Sequence, residues 1–172
     1  YDGPDIPATY QKKDYSNYPT LDDDVQNTVS GHGTHVTGSV LGRGTLSDGY
    51  NSVNGTGSFK GTAPNADVIF LKIGSETTSS ASSTAMIQAV TAAVNTYGAD
   101  IITMSYGGWY DNHDGSSSVE QTFDWAVGQG VTCFVSAGNE AAANKHYSGT
   151  VAGTSYSPYI QINMAATFAP VF

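Results

Sequence analysis

Asp67-Val68-Ile69-Phe70-Leu71-Lys72-Ile73 follows the turn residues Pro64 and Asn65 and is a short run of β-branched and aromatic side chains. A run of this length bounded by turn residues reads as a buried strand. Next, Met86, Ile87, Val90, Ala93, Val94 and Tyr97 recur at helical intervals, and Gly98 follows as a stop. The pattern then repeats. Ile101-Ile102-Thr103-Met104 reads as a strand, Val119, Phe123, Ala126 and Val127 mark a second helical face, and Val131 to Val135 reads as a further strand. Strands alternating with helices predict an α/β fold: a three-layer, open, mostly parallel twisted sheet with helices on both faces, joined by right-handed crossovers. The Gly-, Ser- and Asn-rich stretches 42–58, 75–83 and 107–118 read as surface loops, and neither an internal repeat nor a linker is visible.

Two runs on this frame carry chemistry. In Gly31-His32-Gly33-Thr34-His35, small neighbours on both sides leave one imidazole open to a substrate. The run continues as Val36-Thr37-Gly38, apolar and small at positions that a helix turns inward, so His32 is expected at the entry to a packed helix. The second run, Ser136-Ala137-Gly138-Asn139, follows an apolar strand and places one amide side chain beyond a strand's carboxyl end. Open α/β sheets build their sites there.

At these residues the chain resembles the subtilisin-like serine proteases (subtilases, peptidase family S8). Their histidine segment has the form His-Gly-Thr-His-Val-x-Gly and their oxyanion segment the form Ser-Ala-Gly-Asn. Both occur here in the family's order, and Ser105-Tyr106-Gly107-Gly108 between them looks like the family's substrate-lining edge. The resemblance covers the middle of a family catalytic domain, so residues 1–172 are expected to form a single partial domain, with the fold incomplete at both ends.

Serine-based peptide hydrolysis needs a nucleophile, a base, a carboxylate that orients the base, and donors for the oxyanion. The resemblance assigns the base to His32 and the oxyanion donor to Asn139. An amide N–H suits the latter because it is a neutral donor that does not titrate. A buried structural histidine and a turn asparagine are the alternatives. His35 reads as a packing or hydrogen-bonding residue. Asp2, 30 residues before His32 and followed by Gly3 and Pro4, is the candidate carboxylate, with Asp22, Asp23 and Asp24 as competitors. Ser105, Tyr106, Gly107, Gly108, Ala137 and Gly138 are the implied substrate-binding residues, the edge pairing with an extended peptide as an added strand. Gly138 also supplies the bend before Asn139.

The family's nucleophile segment, Gly-Thr-Ser-Met-Ala-x-Pro, has no convincing counterpart. Gly153-Thr154-Ser155 mimics its first letters, but Ser155 comes only 16 residues after Asn139, and the Tyr156-Ser157-Pro158-Tyr159-Ile160 stretch resembles the preceding family strand instead. The expectation is therefore a fragment whose nucleophile lies elsewhere, inactive by itself, with the remainder of its own catalytic domain as a partner. The alternative is a catalytically inactive relative that binds peptides or scaffolds an assembly. A nucleotide-binding doubly wound domain is disfavoured, because no Gly-x-Gly-x-x-Gly run follows 67–73 and Gly42 to Gly49 lacks the Lys-Ser/Thr of a phosphate loop.

Composition bounds the partners. A net charge of −9 with 6 Lys+Arg repels phosphate backbones and anionic lipid, which disfavours nucleic acid and membrane surfaces and leaves polypeptide as the expected substrate. Cys133 stands alone, so no internal disulfide is expected. No apolar run approaches a membrane span, and no signal peptide is visible. The extracellular or cell-surface location comes from the resemblance. So does the expectation that catalysis needs no cofactor, while structural calcium fits the full-length protein. Asp111, His113 and Asp114 beside Gly115 read as a solvated loop rather than a metal site, and Asn54-Gly55-Thr56 is a weak glycosylation triplet.

Overall fold

The computed structural model describes residues 10–21, 31–47, 51–52, 55–56, 59–78, 80–108 and 113–139. The chain divides into two units, Tyr1–Ala137 and Gly138–Phe172, and all of the elements below belong to the first.

Strand β1 (Tyr10–Asp14) leads to helix α1 (His32–Leu41), a 3₁₀ turn (Thr45–Ser47) and a small antiparallel pair, β2 (Asn51–Ser52) with β3 (Gly55–Thr56). Then β4 (Val68–Lys72), α2 (Ser83–Asn95), β5 (Ile101–Met104), α3 (Ser118–Gly128) and β6 (Thr132–Val135) alternate as the periodicity predicts. The strands pair in parallel, β1 with β4 from Tyr10 opposite Val68 to Asp14 opposite Lys72, and β5 with β6 from Ile101 opposite Thr132 to Met104 opposite Val135. This is a partial α/β fold of the expected kind. β1 and the β2–β3 pair are additions to the sequence reading.

Local chemistry fixes the helix ends. Ser82 caps α2 by accepting from the Ala85 N–H at 3.1 Å. At α3 the Ser117 hydroxyl accepts from Glu120 N–H while the Glu120 carboxylate accepts from Ser117 N–H, satisfying two donors that a bare helix start leaves unpaired. Gly98 has φ of 64° just past α2, a conformation cheap only for glycine, which is why the helix stops there.

The core is small. Tyr15, Ala85 and Ala89 are buried together, with Leu71, Ile73 and Ala92 packed against them, so α2 lies on β4 and on the chain leaving β1. Asp14 is buried beside this cluster, and its Oδ2 takes Lys72 Nζ at 2.7 Å, an ion pair that ties β1 to β4 across the ladder. Helices α2 and α3 pack on one another, and α3 also packs on β6.

Side chains alternate between the faces of a strand, so the register puts Ile101, Thr103, Thr132 and Phe134 on one face of the β5–β6 pair. All four are exposed, Ile101 at 62% and Phe134 at 60%. Val36 and Thr37 are half-buried on α1, Gly38 is exposed, and Leu41 is the buried residue of the helix. Inward packing of Val36-Thr37-Gly38 is thus only partly seen, because the burial of this helix concentrates at its carboxyl end. There the N–H groups of Gly61, Thr62 and Ala63 donate to the carbonyls of Gly42, Ser39 and Val40 at 2.7, 3.1 and 2.7 Å. Those bonds satisfy acceptors that the last helical turn leaves open.

Candidate active site

His32 is the first residue of α1, preceded by Gly31, which supplies no side-chain cap. A Cβ built at Gly31 or Gly33 meets nothing within 4 Å, so neither position is a glycine for want of space. The ring is exposed, and its Nε2 lies 2.9 Å from the backbone carbonyl oxygen of Ser105. A carbonyl only accepts, so Nε2 carries a proton in this contact.

Ser105 follows β5 directly, and the parallel ladder explains its neighbours. The Ser136 N–H donates to the Met104 carbonyl at 3.1 Å, extending the pairing one residue beyond β6. Parallel strands end on the same side, so Ser105–Gly108 and Ser136–Ala137 emerge together at the carboxyl ends of β5 and β6. The structure thus brings His32, the Ser105 edge and the start of the Ser136 run to one sheet end. Ser105, Gly107, Gly108 and Ala137 are exposed and Tyr106 is half-buried.

Gly138 and Asn139 open the second unit. Gly138 has φ of 88°, the left-handed bend expected of it, and Asn139 is exposed. Asp2, Asp22, Asp23, Asp24, Asn54, Asp111, Ser155 and the stretch from Tyr156 to Ile160 lie outside the described residues. His35, read as a packing or hydrogen-bonding residue, is exposed on α1, and its main chain bonds to Gly31 and Ser39. Asp114 turns its carboxylate onto the Ser116 N–H at 3.0 Å, and hydrogen bonding to Ser116, by its side chain first and its main chain second, holds the carboxyl's pKa below the usual carboxylate value. Among the described residues no three metal-ligating side chains cluster, and no helix is long and apolar enough to cross a membrane.

Two features escaped the sequence reading. One is the hydroxyl of Tyr106, which accepts the Ala81 N–H at 2.9 Å. The other is the Asp14–Lys72 pair, to which Glu76 adds a second carboxylate on Lys72. Burial opposes ionisation of Asp14, but hydrogen bonds from Lys72 and Ser16 outweigh it and hold the carboxyl below the usual range.

Residues 2–165 match the Subtilase family, nearly the whole chain and both motif runs. The chain belongs to the subtilase family. This subtilase chain is 30% identical over 162 residues to the minor extracellular protease Vpr of Bacillus subtilis (strain 168), a match covering 92% of the chain and 17% of Vpr. Among solved structures it is similar to the S41 psychrophilic protease, with TM-score 0.55 and 29% identity over 74% of this chain and 38% of that one. Sphericase gives TM-score 0.55 and 27% identity over 79% of this chain and 39% of the other. The chain therefore spans about a sixth of Vpr and under two fifths of the two solved chains.

Proposed function

We propose that residues 1–172 are part of the catalytic domain of a secreted serine endopeptidase, carrying the base and one oxyanion donor but not the nucleophile. The observation that supports this most directly is the exposed His32 ring held 2.9 Å from the carbonyl of Ser105, at the sheet end where the peptide-lining edge begins. Family membership supplies the reaction class, and the extracellular Vpr supports the location.

In this reading a serine from the rest of the protein attacks the scissile carbonyl, and His32 takes its proton. Nε2 must give up both its contact with Ser105 and the proton that contact requires, leaving the neutral ring protonated at Nδ1, before it accepts from that hydroxyl, so the carbonyl of Ser105 marks the ring's resting position. Asp2 orients the imidazole and stabilises its charged form. Asn139 donates to the oxygen that becomes negative in the tetrahedral intermediate, where a fixed dipole acts without reorganisation. The substrate is a polypeptide lying extended on Ser105–Gly108, and Ala137 and Gly138 are the further residues assigned to its binding.

The test is hydrolysis of a casein-type substrate by the full-length protein beside His32→Ala. The expected loss is at least about 10²- to 10⁴-fold in kcat. Equal rates from the two proteins refute the assignment.

A further inference from the structure

We propose that the Tyr106 hydroxyl is a positioning device for the peptide-receiving edge, a role resting on the peptidase reading above. Within Ser105–Gly108, two residues are glycines with no side chain and Ser105 is exposed, so Tyr106 is the one side chain there that is partly buried. An exposed segment with one tethered, partly buried side chain takes its orientation in part from that anchor. The anchor here is specific: the Tyr106 oxygen accepts the Ala81 N–H at 2.9 Å across 25 residues of sequence.

What Tyr106 holds is itself fixed. The chain between β4 and α2 closes through Ser75 N–H to the Ser80 carbonyl at 2.9 Å, with Ser75 Oγ accepting from Thr77 N–H at 3.2 Å. At its base Glu76 pairs with Lys72, whose Nζ also bonds the buried Asp14, the two partners' side chains being 7% and 4% exposed. At its far end Ala81 is followed by the Ser82 cap of α2. The anchor is therefore tied to the β1–β4 pair on one side and to α2 on the other. Tyr106 transmits that rigidity to the edge, and Ser105, its neighbour, carries the carbonyl that meets His32. Rolling the edge moves both the peptide-pairing groups and the resting partner of the ring.

The experiment uses the full-length protein with Tyr106→Phe, which keeps the ring and deletes the hydroxyl, Ala81→Pro, which deletes the donor, and the double variant. Loss of one neutral hydrogen bond of about 0.5–1.5 kcal/mol predicts a rise of about two- to twelvefold in KM for a hexapeptide, with a smaller rise for a single-residue ester and little change in kcat. The double variant is expected to be no worse than either single one, because both remove the same bond. Amide exchange supplies a readout independent of turnover: protection of Ala81 and of residues 105–108 falls in Tyr106→Phe. Unchanged exchange there, or a KM rise equal for ester and hexapeptide, overturns the proposal. A wild-type protein that cleaves nothing, yet shows the exchange difference, overturns the peptidase reading and leaves the tether standing.

Discussion

Replacing Gly61 by alanine puts the attachment of α1 under direct test. A Cβ at this position stands 2.5 Å from the Val40 carbonyl carbon, 2.6 Å from the Leu41 nitrogen and 2.6 Å from the Val40 oxygen. All three are main-chain atoms of a helix and cannot rotate aside, whereas comfortable contact begins near ~3.5 Å. The 61–63 segment must withdraw by roughly 1 Å. Its three bonds to Gly42, Ser39 and Val40 are then stretched past useful length. At about 0.5–1.5 kcal/mol each they are worth about 1.5–4.5 kcal/mol, offset by up to about 1 kcal/mol from the stiffer unfolded chain. The expected net loss is about 0.5–4.5 kcal/mol. Urea unfolding measures it as a lower midpoint at unchanged slope. The control is Gly128→Ala at the end of α3, where a Cβ meets nothing within 4 Å and a gain of about 0.4–1 kcal/mol is expected. If Gly61→Ala unfolds within about 0.5 kcal/mol of the parent, the close approach is not what holds the helix.

Asp14 makes stability depend on acid. Its carboxyl is held below the ordinary value by Lys72 and Ser16 despite burial, so its contribution is complete above the unfolded-state pKa and is lost as pH falls through the lower folded one. Urea midpoints recorded downward from pH 5 therefore decline in the parent, and the decline is shallower in Asp14→Asn, which is less stable already at pH 7. At α3, Ser117→Ala removes the hydroxyl that accepts from Glu120 N–H and is expected to cost about 1 kcal/mol in thermal unfolding followed by circular dichroism. No change in the transition there means the capping pair is idle.

How much was legible in the sequence follows from what kind of force shapes each part. The Ile101–Met104 strand lies where the reading puts it, and the helices expected around Met86–Tyr97 and Val119–Val127 run over Ser83–Asn95 and Ser118–Gly128. Their periodicity records which side faces a core, and the Ser82 and Ser117 caps extend each helix upstream of its first apolar residue. Tyr10–Asp14, by contrast, reads Tyr-Gln-Lys-Lys-Asp and has no strand signature. It is extended because β4 offers it a parallel ladder and Lys72 offers Asp14 a counter-charge, both set 58 residues away in the case of the ion pair. The Asn51–Thr56 pair is local, but its two-residue strands inside the Gly-, Ser- and Asn-rich stretch 42–58 are too short to leave an alternating signal. At the site, the glycines around His32 and the bend at Gly138 were readable because they express local geometry. The contact of His32 with Ser105 spans 73 residues and that of Tyr106 with Ala81 spans 25, and only the folded chain creates them.

The stitching of α1 at one end has a mechanical side. Ten residues make a rod about 15 Å long, with the imidazole mounted at the tip opposite the 61–63 seam. A pivot of only about 4° at the seam swings that tip by roughly 1 Å, a displacement large enough to spoil an aligned proton transfer. On the proposed role of His32 as the base, substitutions beside Gly61 act as fine adjustment screws on reactivity, felt at the ring although they do not touch it.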